Sequence, residues 1–300
     1  MLEPISENIF LVQGMNKGRF PFSHSILIFE NENKTVLIDT GCGLEILKEL
    51  KKKYNISYII NSHTHPDHSA GNWLFKDRPI YVPEEGFNTS GNLVALSERL
   101  AEPGELAKYW RDYVTTDLGI RDCRPTHKFN ANSVFEFGKV VLQSIHTPGH
   151  TNDHYCFYEP NEKLLFAFDY DLTSFGPWYG HRESDIPDFK RSIKKLKELD
   201  VKILISGHKG LVTENIHEQL DKFHAKFDER DDNILELLHE GGKTIEELVE
   251  KAPIYGNFPY AEPLLRYWEG QMIKKHLEEL EKQGKVLKRK KGLYSLKERN

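Results

Sequence analysis

The segment NSHTHPDHSAGN, residues 61–72, carries four side chains that can bind a metal ion, namely His63, His65, Asp67 and His68. In an extended or tightly turned segment, residues two apart point in the same direction, so His63 and His65 could hold one ion. Asp67 and His68 would then reach a neighbouring position. Imidazole and carboxylate groups suit zinc, iron or manganese, and a site that also receives a substrate must keep a coordination position open.

Three further candidate ligands stand at the ends of other segments. His150 ends a TPGH motif, Asp169 closes the apolar run LLFAFD, and His208 ends an SGH motif. His150 could complete the first site, His208 could complete the second, and Asp169 could bridge the two ions. A dense cluster followed by three more candidates favours a metal centre over a set of unrelated surface or core histidines.

The apolar runs near these residues have the length and the β-branched or aromatic content of buried strands. They are TVLID (35–39), YII (58–60), VVLQSI (140–145), LLFAFD (164–169) and VKILIS (201–206). Each run ends at a polar cluster that includes candidate functional residues. Strands that end together on one edge of a sheet bring their loops together on a rigid scaffold. We therefore predict that the candidate ligands meet at such an edge.

Two helical segments accompany these strands. Residues 185–199 form an amphipathic pattern, with Ser184 or Asp185 available as N-cap. Residues 83–128 predict an inserted helical segment at about 96–113. That insertion could cover a pocket or could form a solvent-facing helix pair.

The pattern changes near residue 228. ERDDNILELLHEGG predicts a helix stopped by glycines, Thr244 caps a short helix, and LLRYWEGQMIKKHLEELEKQG predicts a longer amphipathic one. KVLKRKKGLYSL then predicts two strands joined by a basic turn. Three helices followed by a hairpin is the order of a winged helix, so we predict domains at 1–228 and 229–300. The apolar positions of the last helix, 262–283, could also form a homodimer face.

The composition is typical of a soluble globular protein, with 38% hydrophobic and 29% charged residues in a chain of 300. No apolar run is long enough to cross a bilayer, so we expect no membrane partner. The N-terminus, MLEPISENIFLVQG, lacks the basic start and the apolar core of a secretory signal, which favours a cytoplasmic location. A net charge of −5 gives no general reason to expect a nucleic-acid partner.

The motifs SHTHPDH, TPGH and SGH, with Asp169 at the end of its strand and DTG at 39–41, resemble the signature segments of the metallo-β-lactamase superfamily in their usual order. The resemblance spans residues 1–228 and implies an α+β fold, an αββα sandwich of two mixed sheets between helices. Carried over by position, it implies one metal on His63, His65 and His150, a second on Asp67, His68 and His208, and a bridge through Asp169. Among these ligands, Asp67 and Asp169 are the residues to which we assign catalytic roles.

The resemblance also implies a chemistry. Redox di-iron members of the superfamily typically carry an acidic residue where this chain has His65, so a hydrolase is favoured over an oxidoreductase. Two divalent ions, zinc in the first instance and iron or manganese as alternatives, would generate a bridging hydroxide as the nucleophile. A small-molecule thioester or other carbonyl ester, as in hydrolases similar to glyoxalase II, is the substrate that we predict.

Two alternatives stay open at this point. The C-terminal segments resemble the winged-helix module of a subgroup that includes endoribonucleases similar to the lactamase-β-like protein 2, so RNA is an alternative substrate. The acidic first 228 residues oppose a polyanion. The other alternative is a winged-helix DNA-binding regulator whose hydrolase domain has lost its activity, and the complete ligand set opposes it.

Five further residues are assigned around the metal centre. Asp39 is either a support for the ligands or a turn cap. His154 is expected to make hydrogen bonds behind the site rather than to bind metal, because the ligand set is complete without it. Asp153 stands where hydrolases similar to glyoxalase II often carry glycine. Thr151 and His181 could touch the substrate.

Overall fold

A computed structural model describes residues 2–297 and contains two β-sheets that face each other. The first sheet has seven strands, numbered β1 to β7 in both chain order and spatial order. They run Leu2–Pro4, Ile9–Val12, Ser25–Asn31, Lys34–Ile38, Ile56–Ile60, Ile80–Pro83 and His127–Phe129. The predicted runs at 35–39 and 58–60 correspond to β4 and β5.

The second sheet has six strands in the spatial order β13-β12-β11-β10-β9-β8. From β8 to β13 they run Val134–Phe137, Val140–His146, Tyr155–Glu159, Leu164–Phe168, Ile203–Ser206 and Gly210–Val212. The other three predicted runs are found here as β9, β11 and β12. The strand pairs β4/β5 and β11/β12 are parallel, so the carboxyl ends of each pair lie at one sheet edge.

Eight α-helices, α1 to α8, three short 3-10 turns and one hairpin complete the described chain. The helices run Leu44–Lys53, Pro66–Ser69, Leu93–Leu100, Glu105–Asp117, Ile186–Lys197, Ile216–His239, Ile245–Val249 and Glu262–Lys282. Strands β14 (Val286–Lys288) and β15 (Tyr294–Leu296) form the hairpin. Within residues 2–297, no helix has both the length and the apolar character that a membrane span requires.

Alternation along the strands builds the sandwich. On β4, Val36 and Ile38 point into the core between the two sheets, whereas Leu37 points outward and packs with α1. On β11, Phe166 enters the same inner core, whereas Leu165 packs outward in a cluster with α5 and α6. Helices therefore cover the outer faces of both sheets, which gives the αββα order that the resemblance implies.

The helices at the carboxyl edges differ in part from the predictions. Helix α5 begins where expected, and the Asp185 side chain accepts a hydrogen bond from the backbone N–H of Asp188 as its N-cap. The prediction of a single inserted helix at 96–113 is wrong, because α3 and α4 are separate helices. Pro103 cannot donate a helical hydrogen bond, and Gly104 adopts a φ of 107° that other residues avoid. The pair packs against α8 and is not a solvent-facing hairpin.

The C-terminal elements have the predicted order of three helices and a hairpin, with a capping box at Thr244 and Glu247. The first of these helices begins earlier than predicted, because α6 starts at Ile216 and continues through residue 228. Its first half packs on the second sheet, and its second half packs with α7, α8 and the hairpin. The division near residue 228 and the winged-helix assignment both stay predictions.

The apolar side chains of the long C-terminal helix α8 do not form the homodimer face that was suggested from the sequence. Its apolar side chains are buried within the chain, against α4 on one side and against α6 and the hairpin on the other. The residues concerned are Leu264, Leu265, Trp268, Met272, Ile273, Leu277 and Leu280. They are therefore engaged inside the monomer and do not form a free apolar surface.

Candidate metal centre

The loop after β5 carries His63 and His65, and the one-turn helix α2 carries Asp67 and His68. Pro66 opens this helix, where its missing N–H costs nothing and its fixed φ suits the first turn. The short turn brings the four side chains to the same side of the sheet edge. All of them are at most 5% exposed.

The first group of ligand atoms belongs to His63, His65, His150 and Asp169, and these atoms all lie within 4.8 Å of one another. His150 Nε2 is 2.8 Å from His65 Nδ1 and 3.0 Å from Asp169 Oδ2. His63 Nε2 is 3.9 Å from the same carboxylate oxygen. Three imidazoles and one carboxylate oxygen therefore face a common point.

The second group belongs to Asp67, His68, Asp169 and His208, also within 4.8 Å of one another. His68 Nε2 lies 2.8 Å from Asp169 Oδ1, the oxygen that does not face the first group. His208 Nε2 lies 3.5 Å from both Asp67 Oδ2 and Asp169 Oδ1. The structure thus brings together all seven ligands assigned from the sequence, and Asp169 belongs to both groups.

Asp39 orients two of the imidazoles from behind. His68 Nδ1 donates to Asp39 Oδ2 at 2.7 Å, and the same carboxylate accepts hydrogen bonds from the hydroxyl and the backbone N–H of Ser62. Because the Ser62 hydroxyl proton is used in this way, its oxygen accepts from His63 Nδ1 at 3.0 Å. Both rings therefore present an unprotonated Nε2 to the centre when they are neutral. Ser62 was not singled out by sequence reasoning.

Backbone carbonyl groups orient two more imidazoles in the same way. His150 Nδ1 donates to the carbonyl oxygen of Trp178 at 2.8 Å, and His208 Nδ1 donates to that of Gly18 at 2.8 Å. Each bond fixes the tautomer in which Nε2 faces the ligand group. No side-chain motif marks a carbonyl partner, so these contacts leave no signal in the sequence.

The buried polar atoms at the centre fit a metal site. The Nε2 atoms of His63 and His68 and the Oδ1 atom of Asp169 are buried and make no hydrogen bond of good geometry within residues 2–297. Buried polar atoms without partners are costly and rare. Divalent cations would satisfy these nitrogen and oxygen atoms by coordinating them. Zinc, iron and manganese all accept this set of ligand atoms.

Protonation differs between the two groups when no metal is bound. Burial, followed by the charge of neighbouring histidines, holds the pKa values of His63 and His65 well below the usual range. Burial acts in the same direction on His68 and His208, but nearby carboxylates outweigh it. They raise the pKa of His68 well above its usual value and that of His208 to about 9.

Metal loading is therefore expected to depend on pH mainly at the second group. Below a pH of about 9, a cation must displace a proton from His208, and the raised pKa of His68 adds a second proton to displace. Each displaced proton weakens binding about tenfold per pH unit. His63 and His65 stay neutral and impose no such cost. Dialysis at pH 8, 7 and 6 followed by elemental analysis should show one ion lost as pH falls and one retained.

The variant His208→Ala is the matched control for this experiment. It should hold one ion per chain with little dependence on pH between 6 and 8. Loss of both ions together in the unaltered protein would show that the two groups do not load separately.

His154 lies behind the centre rather than in it. It is fully buried, its Nδ1 is 2.9 Å from the hydroxyl of Thr147, and its Nε2 accepts from the backbone N–H of Asp169 at 3.4 Å. It thereby positions the backbone of the shared carboxylate, and it belongs to neither ligand group. Thr151, assigned above to substrate contact, is fully buried, whereas His181 lines the cavity above the centre.

Asp153 has a partner that the sequence does not reveal. Arg99 of α3 forms ion pairs with Asp153 at 2.8 Å and with Glu183 at 2.6 Å, and it donates to the hydroxyl of Thr64 at 2.9 Å. Burial alone would raise the pKa of Asp153, but the Arg99 guanidinium lowers it to about 2. Arg99 therefore ties the inserted helices to the loops that carry the ligands.

A cavity of about 280 Å³ opens directly onto the ligand groups. Its floor consists of His65, Asp67, His150, Asp169 and His208. Its walls come from α4, from the loop that follows β11 and from the C-terminal region, and they are largely aromatic. The site thus combines a polar, metal-binding floor with an apolar chamber, as small-molecule sites commonly do.

A family model described as the metallo-beta-lactamase superfamily matches residues 19–208, the stretch from the N-terminal loop to the last ligand. The chain belongs to the metallo-beta-lactamase superfamily. As a member with its ligand residues gathered at one sheet edge, it is a metal-dependent hydrolase.

Two curated relatives extend this comparison along most of the chain. Lactamase-like protein aptB of Emericella nidulans is 26% identical over 263 residues, which cover 82% of this chain and 73% of that protein. The atrochrysone carboxyl ACP thioesterase of Aspergillus fumigatus is 24% identical over 280 residues, which cover 86% and 76%. The second relative is named for thioester hydrolysis.

A solved structure shows that the fold similarity includes the C-terminal elements. A metallo-beta-lactamase family protein from Thermus thermophilus superposes with a TM-score of 0.75 at 22% identity. The match covers 98% of this chain and 100% of that one. The superfamily fold and the additional C-terminal elements therefore occur together in another protein.

Proposed function

We propose that this hydrolase uses two divalent cations and cleaves thioesters. The observation that carries the proposal is the cavity floor, where two groups of ligand atoms share the carboxylate of Asp169. The relative named as a thioesterase supports the choice of bond. Bound divalent cations would supply Lewis acidity, which polarises a carbonyl group and acidifies water. Zinc is our first choice, with iron and manganese as alternatives.

Two carboxylates in the centre suit different roles. In the metal-free protein, burial raises the pKa of Asp67, against the opposing effect of His68. Despite its burial, neighbouring histidines, His68 foremost, hold the pKa of Asp169 well below the usual range. We assign Asp169, which belongs to both ligand groups, as the carboxylate that would hold the two cations, and Asp67, which lines the cavity floor, as the acceptor of a proton from the attacking water.

His181 is the side chain that we assign to the substrate beside the scissile bond. Its Nδ1 donates to the carbonyl oxygen of Leu100 at 2.6 Å, which leaves Nε2 as an acceptor. Its ring lines the cavity, with its centroid 4.7 Å from that of His65. It can accept a hydrogen bond from an amide or a hydroxyl of the substrate.

A wider cleft of about 720 Å³ adjoins the cavity and suits the leaving thiol. The two share the side chains of Arg19, Phe175 and His208, among others. The cleft is also lined by basic residues, namely Lys17, Lys209, Lys222 and Lys226. A thiol carrier that bears phosphate, such as coenzyme A, would gain favourable electrostatic interactions there although the whole chain is acidic.

A substrate panel on the metal-loaded protein tests the proposed function. It contains an acyl-coenzyme A, the same acyl group on uncharged N-acetylcysteamine, a lactone and single-stranded RNA. We expect kcat/KM to be highest for the coenzyme A thioester, by about tenfold over the uncharged thioester at low salt. This advantage should shrink as ionic strength rises, because salt screens the basic cleft.

The basic turn at residues 288–291 provides the matched control. It joins β14 to β15 and lines neither the cavity nor the cleft among the residues described. Neutralising these four charges should leave thioester kinetics within about twofold, because exposed charges on a turn are solvated. RNA cleavage that disappears in this variant would favour the endoribonuclease. A metal-free protein that binds duplex DNA with a steep salt dependence would favour the regulator.

A further inference from the structure

The chamber above the ligand floor is lined by an unusual concentration of aromatic side chains. Eight of its lining residues are Phe, Tyr or Trp, and its volume is about 280 Å³. A dry cavity of roughly 150 Å³ is enough to hold benzene. The chamber therefore has room for about two rings or for an aliphatic chain of similar bulk.

The C-terminal region builds much of this chamber. Tyr255, Tyr260, Leu265 and Trp268 line it, together with Trp110 of α4. Trp268 and Trp110 are only 5% and 2% exposed, so they form a fixed wall rather than a surface. The C-terminal region, which resembles a nucleic-acid-binding module, thus contributes apolar surface to the chamber.

Trp178 links this wall to the ligand floor. Its ring packs edge-on against Trp268 at 5.4 Å between centroids, and its indole N–H donates to the hydroxyl of Tyr255 at 2.6 Å. The indole nitrogen of Trp268, in contrast, is buried without a partner within residues 2–297.

Two aromatic rings stand at the mouth of the chamber. Phe20 and Tyr260 are 40% and 49% exposed, and their rings stack with centroids 6.5 Å apart and an interplanar angle of 21°. They come from opposite ends of the chain, and both line the chamber. Exposed aromatic rings add little to folding, but they can contact an apolar molecule that enters between them.

We propose that the C-terminal region acts as the selectivity element of the enzyme and that the chamber receives an aromatic acyl group of about two rings. The inference rests on the proposed function, since it names the acyl half of the thioester. The aromatic acyl group lies among the tryptophan and tyrosine side chains, and its thioester carbonyl reaches the ligand floor. The thiol carrier extends towards the basic cleft.

The experiment compares 2-naphthoyl and acetyl thioesters of the same thiol. We expect kcat/KM for the naphthoyl thioester to exceed that for the acetyl thioester by at least about tenfold, because aromatic contacts favour the larger group. In Tyr260→Ala the naphthoyl-to-acetyl ratio should fall about fivefold to tenfold. Tyr109→Ala is the matched control, because Tyr109 is 40% exposed on α4 and does not line the chamber. It should leave the ratio unchanged.

A second readout separates this inference from the proposed function. Binding of 2-naphthoate, followed by quenching of tryptophan fluorescence, requires no hydrolysis and should weaken about fivefold in Tyr260→Ala. Naphthoate binding without cleavage of any thioester would uphold the chamber and overturn the proposed function. Thioester cleavage with no naphthoyl preference and no naphthoate binding would overturn the chamber alone. A ratio that is the same in Tyr260→Ala as in the unaltered protein would also overturn it.

Discussion

Asp169→Ala is expected to abolish turnover, by at least about a thousandfold in kcat, while leaving the fold largely intact. Asp169 is the only residue that belongs to both ligand groups among the residues described, with Oδ2 facing the first group and Oδ1 the second. Its loss removes one donor from each group at once and the charge that would hold two cations close together. A thousandfold loss corresponds to roughly 4 kcal/mol in the barrier.

The measurement combines kinetics with metal content and thermal melting. We expect fewer than two ions per chain in Asp169→Ala. Asp200→Ala is the control, since Asp200 is an exposed aspartate that precedes β12 and pairs with Lys163. It should retain full activity and both ions. Activity of Asp169→Ala within tenfold of the unaltered protein would show that the shared carboxylate is dispensable.

The convergence of the seven candidate ligands could be predicted from the sequence because each of them follows a strand or opens the turn after one. The motif around His63 is recognisable because several candidate ligands lie close together in the sequence. Asp169 and His208 follow β11 and β12, which are parallel neighbours. Parallel strands carry the residues after their carboxyl ends to one edge, so chain order alone indicates convergence. The strand predictions were accurate for a different reason, since runs such as those of β4 and β11 are buried on both faces and therefore apolar throughout.

The chamber could not be predicted in this way. Its wall joins residues near 20, near 110 and near 260, which no repeat or spacing relates. Their proximity depends on how α3 and α4 pack against α8, and that packing is set by the shape of several apolar side chains together. The sequence showed that an insertion exists, but not which helix it packs against.

Arg99 was missed for a related reason. The sequence drew attention to Asp153 only as a departure from glycine, and no local signal connects it to an arginine 54 residues away. A buried carboxylate needs a partner, but any basic residue of the chain could supply it. Only the placement of α3 over the ligand loops identifies that partner.

Arg99→Met is expected to destabilise the protein by about 3–5 kcal/mol, because it leaves the charge of Asp153 buried without its partner. The pKa of Asp153 in the folded protein, about 2, lies below its ordinary value, so the interaction stabilises the fold above about pH 4 and is lost as pH falls through 2. In Arg99→Met the buried carboxyl should take up a proton more readily than in the unaltered protein. The destabilisation, measured by urea unfolding, should therefore shrink between pH 8 and pH 5.

Two variants decide whether the effect comes from the buried charge. The double variant Arg99→Met with Asp153→Asn removes the charge and should recover most of the lost stability. Arg191→Met removes an arginine from the exposed pair with Asp188 and should cost less than about 1 kcal/mol.

Because Arg99 also holds Thr64, which lies between two ligand histidines, metal affinity should fall about tenfold to a hundredfold in Arg99→Met. A variant with unaltered stability and metal affinity would mean that the inserted helices do not hold the ligand loops in place.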